Sequence, residues 1–278
     1  MNLITIPNTD LQCSRLAFGT SSLHHLIDGN SRSKLLSKAI DFGFNYFDSA
    51  RMYGEGLAEH TLGKFFIGSL RQKVILSTKV GIAANPIFEY SPQLMYAQKS
   101  ISSVMCRFGM LEKKNKRRDL SLSKVNSNFT KSLKALRTDW VDILFIHETQ
   151  LSDVNDLILL GNWLMEQKIM GRARYLGLSG NPGACLNISK AIPNLFDIFQ
   201  VQDSLVDREA DILMRAGCEL QVTYGYLRTN RLATNPVNVD LIINGALNRN
   251  QTGTVLVSTC NVEHLKQLAF LANNRVAN

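Results

Sequence analysis

Four ionisable side chains of this chain stand at or just beyond the ends of short apolar runs. Asp48 closes the run FNYFD, Lys79 closes VILSTK and His147 closes VDILFIH, while Tyr53 follows shortly after Asp48. If these runs are neighbouring parallel strands, their carboxyl ends meet and the four side chains converge on one pocket. Taken singly, each residue also suits a structural role as a cap, an ion-pair partner or a core side chain. The prediction of a site therefore depends on the four occurring together.

These residue types together suit proton transfer to a carbonyl oxygen. A tyrosine phenol has a pKa of about 10, which a neighbouring lysine ammonium would lower by favouring the phenolate. An aspartate would keep that lysine charged and in place, and a neutral histidine would orient a substrate carbonyl by donating a hydrogen bond. Protein side chains provide no hydride, so this chemistry implies a nicotinamide cofactor.

The elements that must position these residues alternate along the chain. A hairpin is predicted at the N-terminus, and eight almost continuously apolar runs follow it, which is typical of parallel strands buried on both faces. Stretches with one apolar face separate the runs and predict helices, one of them with Ser123 as its N-cap. The predicted strands are 15–19, 44–48, 74–79, 141–147, 174–179, 197–202, 218–224 and 254–258. The predicted helices are 31–42, 57–67, 123–137, 152–170, 183–191, 205–216, 238–249 and 261–272.

This alternation predicts an α/β fold, namely a (β/α)8 TIM barrel with an N-terminal β-hairpin. A doubly wound sheet is the rival, but its G-x-G-x-x-G phosphate motif is absent after the first strand. No composition shift marks a linker, so residues 1–278 are expected to form one domain. Region 80–120 is too long for a structureless loop, and we expect it to hold short helices or to act as a lid near the active site. The aromatic residues expected in the pocket wall are Phe88, Tyr90, Tyr96 and Phe108.

Composition excludes several classes of protein. The 278 residues include 31 basic and 23 acidic side chains, and 45% are hydrophobic, which is typical of a globular chain. Five scattered cysteines without C-x-x-C spacing indicate reduced thiols and no metal site. The basic cluster 113–118 has no interleaved aromatic residues, which disfavours nucleic-acid binding. Without a long apolar span or a signal peptide, we expect a cytoplasmic protein with no membrane partner. The oligomeric state stays open.

Three segments resemble the signatures of the aldo-keto reductase family. FDSARMYGEGLAEHTLG at 47–63 resembles its D-x-A-x-x-Y-G motif, LSTKV at 76–80 resembles its lysine strand, and LRTDWVDILFIHE at 136–148 resembles its histidine strand. The resemblance extends from the hairpin to about residue 270. It implies a (β/α)8 barrel that uses NAD(P)H to reduce aldehydes and ketones, or that catalyses the reverse reaction.

The resemblance also implies roles for individual residues. Tyr53 would be the general acid, Lys79 and Asp48 the partners that set its pKa, and His147 the group that orients the carbonyl. NADP is the family's common cofactor, while NAD stays open because 255–265 contains no lysine or arginine to meet a ribose 2′-phosphate. The positions that match the family's cofactor contacts are Gly19, Thr20, Ser21, Asp48, Ser179, Gly180, Gln200, Tyr224, Thr259, Cys260, Asn261, His264 and Gln267.

Two functions follow from this resemblance. The first is an NAD(P)H-dependent oxidoreductase acting on a small-molecule carbonyl or alcohol substrate. The alternative is a cofactor-binding regulatory or scaffold protein of the same fold with little turnover. This alternative is motivated by the segment that resembles the family's adenosine-binding motif, because it has Gln267 and Leu268 where the family often has Glu and Asn.

Overall fold

A small antiparallel sheet opens the chain. The computed structural model describes residues 1–85, 118–230 and 238–274. Strand β1 (Leu3–Thr5) pairs with β2 (Gln12–Ser14), which confirms the predicted hairpin. Ile6, Leu11 and Cys13 are buried and belong to the apolar cluster inside the barrel, so the hairpin covers the amino-terminal end of the strands.

Eight parallel strands close into a barrel, as the sequence predicts. These strands are β3 (Leu16–Gly19), β4 (Tyr46–Asp48), β5 (Ile75–Val80), β6 (Val141–Thr149), β7 (Ala173–Gly180), β8 (Ile198–Gln202), β9 (Val222–Tyr224) and β10 (Thr254–Val257). Their order around the barrel is β10-β3-β4-β5-β6-β7-β8-β9, and β10 pairs with β3 to complete the ring.

Helices connect the strands. Four of them begin behind an Asp or Asn whose side chain accepts a backbone N–H of the first turn: Asp28, Asn181, Asn238 and Asn261. The α-helices of the described ranges are α1 (Gly29–Asp41), α2 (Leu57–Phe65), α3 (Leu122–Leu136), α4 (Val154–Ile169), α5 (Pro182–Ala191), α6 (Asp211–Arg215), α7 (Tyr226–Asn230), α8 (Val239–Arg249) and α9 (Val262–Asn273). Short 3-10 helices are Leu23–His25, Tyr53–Gly56, Gly68–Lys73 and Leu151–Asp153.

Three predicted boundaries are wrong. The N-cap of α3 is Ser121 rather than Ser123, because the Asp119 carboxylate accepts both the N–H and the hydroxyl of Ser121 and fixes the turn there. The helix predicted at 205–216 is confined to α6. Ahead of it, the carboxylate of Asp203 accepts the N–H of Ala210, so side chains replace helical hydrogen bonds. The strand predicted at 218–224 is confined to β9.

Strand alternation arranges the barrel interior in layers. Successive side chains of a strand point to opposite faces, so residues two apart share a face. Tyr46 therefore lies beneath Asp48, and Phe145 lies beneath His147. Tyr46, Phe145 and Ile75 belong to the apolar cluster inside the barrel. The opposite faces of the strands pack against the helices in a second, larger core.

The long region after β5 is described only at its two ends. Ile82 pairs antiparallel with Arg118, and the N–H of Asp119 donates to the carbonyl of Gly81 at 2.8 Å. The predicted pocket-wall aromatics and most of the basic cluster, in 86–117, lie outside the described residues. Within the three described ranges, each helix falls short of the length and apolar character needed to cross a bilayer.

Candidate active site

A buried ion pair lies at the centre of the site. The Lys79 Nζ donates to both carboxylate oxygens of Asp48, at 2.6 and 2.5 Å, and to the carbonyl of Ser49 at 3.0 Å. Both side chains are almost fully excluded from solvent. The three protons of the ammonium are therefore matched by three acceptors, which fixes its position at the end of β5.

Tyr53 lies on a tight turn after β4. Gly54, Glu55 and Gly56 all adopt positive φ angles, of 56°, 54° and 91°. Space also requires glycine here, because a Cβ at Gly54 would lie 2.7 Å from the Cβ of His24. The motif M-Y-G-E-G thus bends the chain so that Tyr53 faces the barrel opening.

A second ion pair anchors this turn from below. The Arg51 guanidinium donates to the Glu59 carboxylate at 2.7 Å, and the Thr78 hydroxyl donates to the other oxygen of Glu59 at 2.5 Å. Glu59 belongs to α2 and Thr78 to β5, and both are buried. The pair therefore connects the Tyr53 turn to the helix and the strand beneath it.

His147 stands beside Tyr53 at the end of β6. The ring centroids of Tyr53 and His147 are 5.8 Å apart in an edge-to-face arrangement, and the Lys79 Nζ is 5.2 Å from the Tyr53 centroid. Arg118 donates from Nε to the carbonyl of His147 at 3.1 Å. The same guanidinium binds both oxygens of Asp153, at 2.8 and 2.6 Å. The structure thus brings the four predicted catalytic side chains together.

A chain of hydrogen bonds connects Asp48 to the far side of the barrel. The Ser179 hydroxyl donates to Gln200 Oε1 at 2.8 Å, and Gln200 Nε2 donates to Asp48 Oδ1 at 2.8 Å. The Ser77 hydroxyl donates to the same carboxylate oxygen at 2.7 Å. Sequence reasoning missed Ser77, although it lies two residues before Lys79 and therefore on the same face of β5.

A cavity of about 960 Å³ opens at the carboxyl ends of the strands. The predicted residues that line it are Gly19, Ser21, Asp48, Tyr53, Lys79, His147, Ser179, Gln200 and Tyr224. Residues that line it without having been predicted include Ser22, Met52, Arg118, Glu148, Arg228 and Ser258. Glu148 could have been found from its position next to His147, whereas Arg118 depends on a pairing across the fold.

The other predicted cofactor positions do not line this cavity. Several of them have contacts elsewhere in the fold. Thr20 is buried and donates to the carbonyl of Asp48 at 2.9 Å, and Gly180 packs against the backbone of Thr149. Asn261 caps α9, and Gln267 donates to Asp240 at 2.6 Å. The remaining ones are Thr259, Cys260 and His264, of which Cys260 donates from Sγ to the carbonyl of Ser22 at 2.9 Å.

The electrostatics of Tyr53 differ from expectation. Burial raises the pKa of Tyr53 well above its ordinary value, and the Asp48 carboxylate raises it further. Burial lowers the pKa of Lys79, while the adjacent Asp48 carboxylate acts in the opposite direction. The sequence analysis expects the Lys79 ammonium to lower the pKa of Tyr53, whereas burial and the Asp48 carboxylate act in the opposite direction. The ammonium is paired with Asp48, and burial is the largest of the influences on the pKa of the phenol.

Fold and site together define a known class of protein. The family model described as the aldo/keto reductase family matches residues 15–216, well over half of the chain. The protein belongs to this family.

Characterised and uncharacterised oxidoreductases are among its relatives. The uncharacterized oxidoreductase YrpG of Bacillus subtilis is 31% identical over 191 residues, which cover 66% of this chain and 50% of that protein. D-threo-aldose 1-dehydrogenase of a Pseudomonas species is 26% identical over 157 residues, covering 55% of this chain and 45% of that protein. The chain thus spans about half the length of these curated relatives.

Solved structures show the same fold over nearly the whole chain. The holo form of the aldo-keto reductase AKR11C1 from Bacillus halodurans superposes with a TM-score of 0.76 at 20% identity, covering 100% of this chain and 93% of that chain. An aldo-keto reductase from Klebsiella pneumoniae in complex with NADPH gives a TM-score of 0.70 at 14% identity, with coverage of 99% and 91%. At these identities the likeness shows the fold.

Proposed function

We propose that the protein reduces an aldehyde or ketone to an alcohol, or catalyses the reverse oxidation. NADP(H) would be the cofactor, with NAD(H) as the alternative, and Tyr53 the general acid. The observation that carries this proposal is the convergence of Tyr53, Lys79 and His147 on one cavity, with the phenol ring 5.8 Å from the imidazole and 5.2 Å from the ammonium. Membership of the aldo/keto reductase family supports it.

Tyr53 would supply the proton for the reduced oxygen. Its raised pKa keeps the phenol protonated at neutral pH, so the proton is present when a carbonyl oxygen gains negative charge. Lys79 lies beside the ring and would stabilise the phenolate that remains after the transfer. Asp48 holds the ammonium in this place through two hydrogen bonds.

His147 would orient the substrate. Its ring stands at 82° to that of Tyr53, and both rings line the cavity, where a carbonyl oxygen would bind between them. Arg118 holds the His147 backbone, and Asp153 holds Arg118. Preorganised donors of this kind act where charge develops and need no rearrangement during the reaction.

The part of the cavity away from Tyr53 and His147 would hold a dinucleotide. The cavity volume of about 960 Å³ lies within the range of cofactor sites. The half-buried ring of Tyr224 offers a flat apolar face for a nicotinamide, and Ser179 and Gln200 offer polar groups for its amide. Near β10, the Ser22 and Ser258 hydroxyls lie 2.6 Å apart and would contact sugar or phosphate oxygens.

The guanidinium of Arg228 adds a positive charge to these polar groups of the cavity. Arg228 lines the cavity on α7, directly after β9, where it would attract an anionic cofactor. When bound, the reduced nicotinamide supplies the hydrogen and electron pair that the carbonyl carbon receives. The residues of the chain bind it, orient the carbonyl and move the proton.

Turnover with a panel of aldehydes tests this proposal. Oxidation of NADPH or NADH is followed by absorbance in wild type, Tyr53→Phe and Tyr175→Phe. Removing the Tyr53 hydroxyl is expected to lower the rate by roughly 10²–10⁴-fold. Tyr175→Phe is the matched control, because its hydroxyl binds Asp10 outside the cavity. Full activity of Tyr53→Phe would refute the role of Tyr53 as general acid. Tight cofactor binding of the wild type without turnover would favour the regulatory or scaffold alternative.

A thermal-shift comparison separates the two cofactors. The protein is heated with increasing NADPH or NADH, since a ligand that binds only the folded state raises the melting temperature according to its affinity. A larger shift with NADPH is expected. A larger shift with NADH would assign the protein to the alternative cofactor.

A further inference from the structure

Glu148 occupies an unusual backbone position beside the reactive groups. It follows His147 directly in β6, and its φ angle is 52°, in the left-handed region. The pairing of β6 with β7 changes register between Ile146 and Thr149, so the irregularity falls at Glu148. Such conformations cost free energy in non-glycine residues and concentrate at functional sites.

The conformation places a carboxylate in the wall of the cavity. Glu148 lines the cavity, and its side chain is exposed there, unlike the buried residues on either side of it. Its negative charge reaches Tyr53 and Tyr224, whose pKa values it raises. Within the described ranges, the Glu148 carboxylate has neither a hydrogen bond nor an ion pair. A charge without a partner beside a ligand cavity is available to a ligand.

The neighbouring charges are already matched. Lys79 neutralises Asp48 through two short contacts, and Asp153 binds Arg118 through two others. Arg228 also lines the cavity, but it follows β9, three strands away from β6 around the barrel. Among the described residues, Glu148 therefore gives the His147 side of the cavity an unmatched negative charge.

We propose that Glu148 determines substrate charge, so that the protein prefers carbonyl compounds carrying a cationic group, such as a quaternary or protonated amine. This inference rests on the proposed function. A bound cation would be partly shielded from solvent beside an unmatched carboxylate, which strengthens their attraction. An anionic carbonyl compound would meet the same carboxylate and be repelled.

Two isosteric aldehydes test the inference. 4-(Trimethylammonio)benzaldehyde and 4-tert-butylbenzaldehyde differ in charge but hardly in shape. We expect wild type to favour the cation in kcat/KM by about tenfold at low salt, and the ratio to fall with added salt as the charges are screened. Glu148→Gln is expected to lower this ratio, and the part that remains reflects the electron-withdrawing ammonium group, which activates the carbonyl equally in both proteins. Using the ratio cancels any general loss of activity or of folded protein.

Two further variants sharpen the test. Glu166→Gln makes the same charge change at an exposed position of α4 and should leave the ratio unchanged. Glu148→Lys should invert the preference and favour 4-carboxybenzaldehyde. An equal ratio in wild type and Glu148→Gln would overturn the inference, whereas turnover of the neutral aldehyde would still support the proposed function.

A binding measurement makes the inference independent of turnover. The affinities of the same two aldehydes for wild type and Glu148→Gln are compared by calorimetry in the presence of NADP⁺. Tighter binding of the cation to wild type alone would support the inference even if neither compound were reduced. Equal affinities would overturn it.

Discussion

Removing Lys79 should destabilise the protein far more than removing a surface lysine. Lys79→Met keeps a side chain of similar length but leaves the Asp48 carboxylate without its cation. Asp48 is fully buried and, among the described residues, would retain the neutral donors Ser77 and Gln200. A carboxylate cannot recover its hydration there, so the loss is the desolvation cost of a stranded charge.

The burial and the short contacts of this ion pair determine the expected loss of stability. Breaking a buried pair by deleting one partner costs about 3–5 kcal/mol, and the contacts of 2.6 and 2.5 Å place this pair in that range. Lys38 provides the comparison, because it binds Asp41 at a similar 2.8 Å but with both side chains about half exposed. An exposed pair contributes about 0.2–1 kcal/mol, so Lys38→Met should cost no more than that.

Urea unfolding followed by tryptophan fluorescence measures both variants. The double variant Lys79→Met/Asp48→Asn removes the stranded charge as well and should be more stable than Lys79→Met by more than about 1 kcal/mol. If Lys79→Met is no less stable than Lys38→Met, or if the second substitution lowers stability further, the reasoning about the buried pair is refuted.

Two other predictions concern stability. Burial raises the pKa of Cys13 from 9.0 to about 12 and that of Cys185 from 9.0 to about 11. Unfolded thiols ionise first, so the free energy of unfolding should fall above pH 9, by about 1.4 kcal/mol per thiol at about pH 10. Urea titrations between about pH 8 and about pH 10 measure this, and a fall that persists unchanged when both cysteines are replaced by alanine would contradict it. Gly63→Ala would place a Cβ 2.1 Å from the carbonyl of Ala135 and should cost about 1–3 kcal/mol. At Gly161→Ala the new Cβ would meet its nearest neighbour at 3.9 Å, so this substitution should be neutral or stabilising. Thermal melts of the two alanine variants measure the difference, and an equal loss of stability in both would refute the steric argument.

The order of elements and the inward-facing residues could be predicted from sequence. Strand alternation has a period of two, so the pairs Tyr46 and Asp48, and Phe145 and His147, share a face whatever surrounds them. Hydrophobic runs separated by amphipathic stretches specify parallel strands and crossover helices, which closed into the predicted barrel. These properties depend on residues close together in the chain.

Other properties depend on residues that the fold brings together. The helix predicted at 205–216 shortened to α6 because Asp203 accepts a backbone N–H that a helix would otherwise use. In the segment predicted to bind adenosine, Gln267 is bound to Asp240 on a different helix. Local periodicity carries no information about such partners.

The charge balance of the site is also a tertiary property. The sequence identified Tyr53 and Lys79 as neighbours, but it does not show that burial and the Asp48 carboxylate raise the pKa of the phenol. That direction depends on how completely Asp48 neutralises the ammonium and on how much solvent reaches the ring. Likewise, Arg118 binds Asp153, 35 positions further along the chain, and Glu148 has no ionic partner within the part of the chain that the structure describes. Local sequence fixes which side chains point inward, but the distances that set their charges exist only once the barrel has closed.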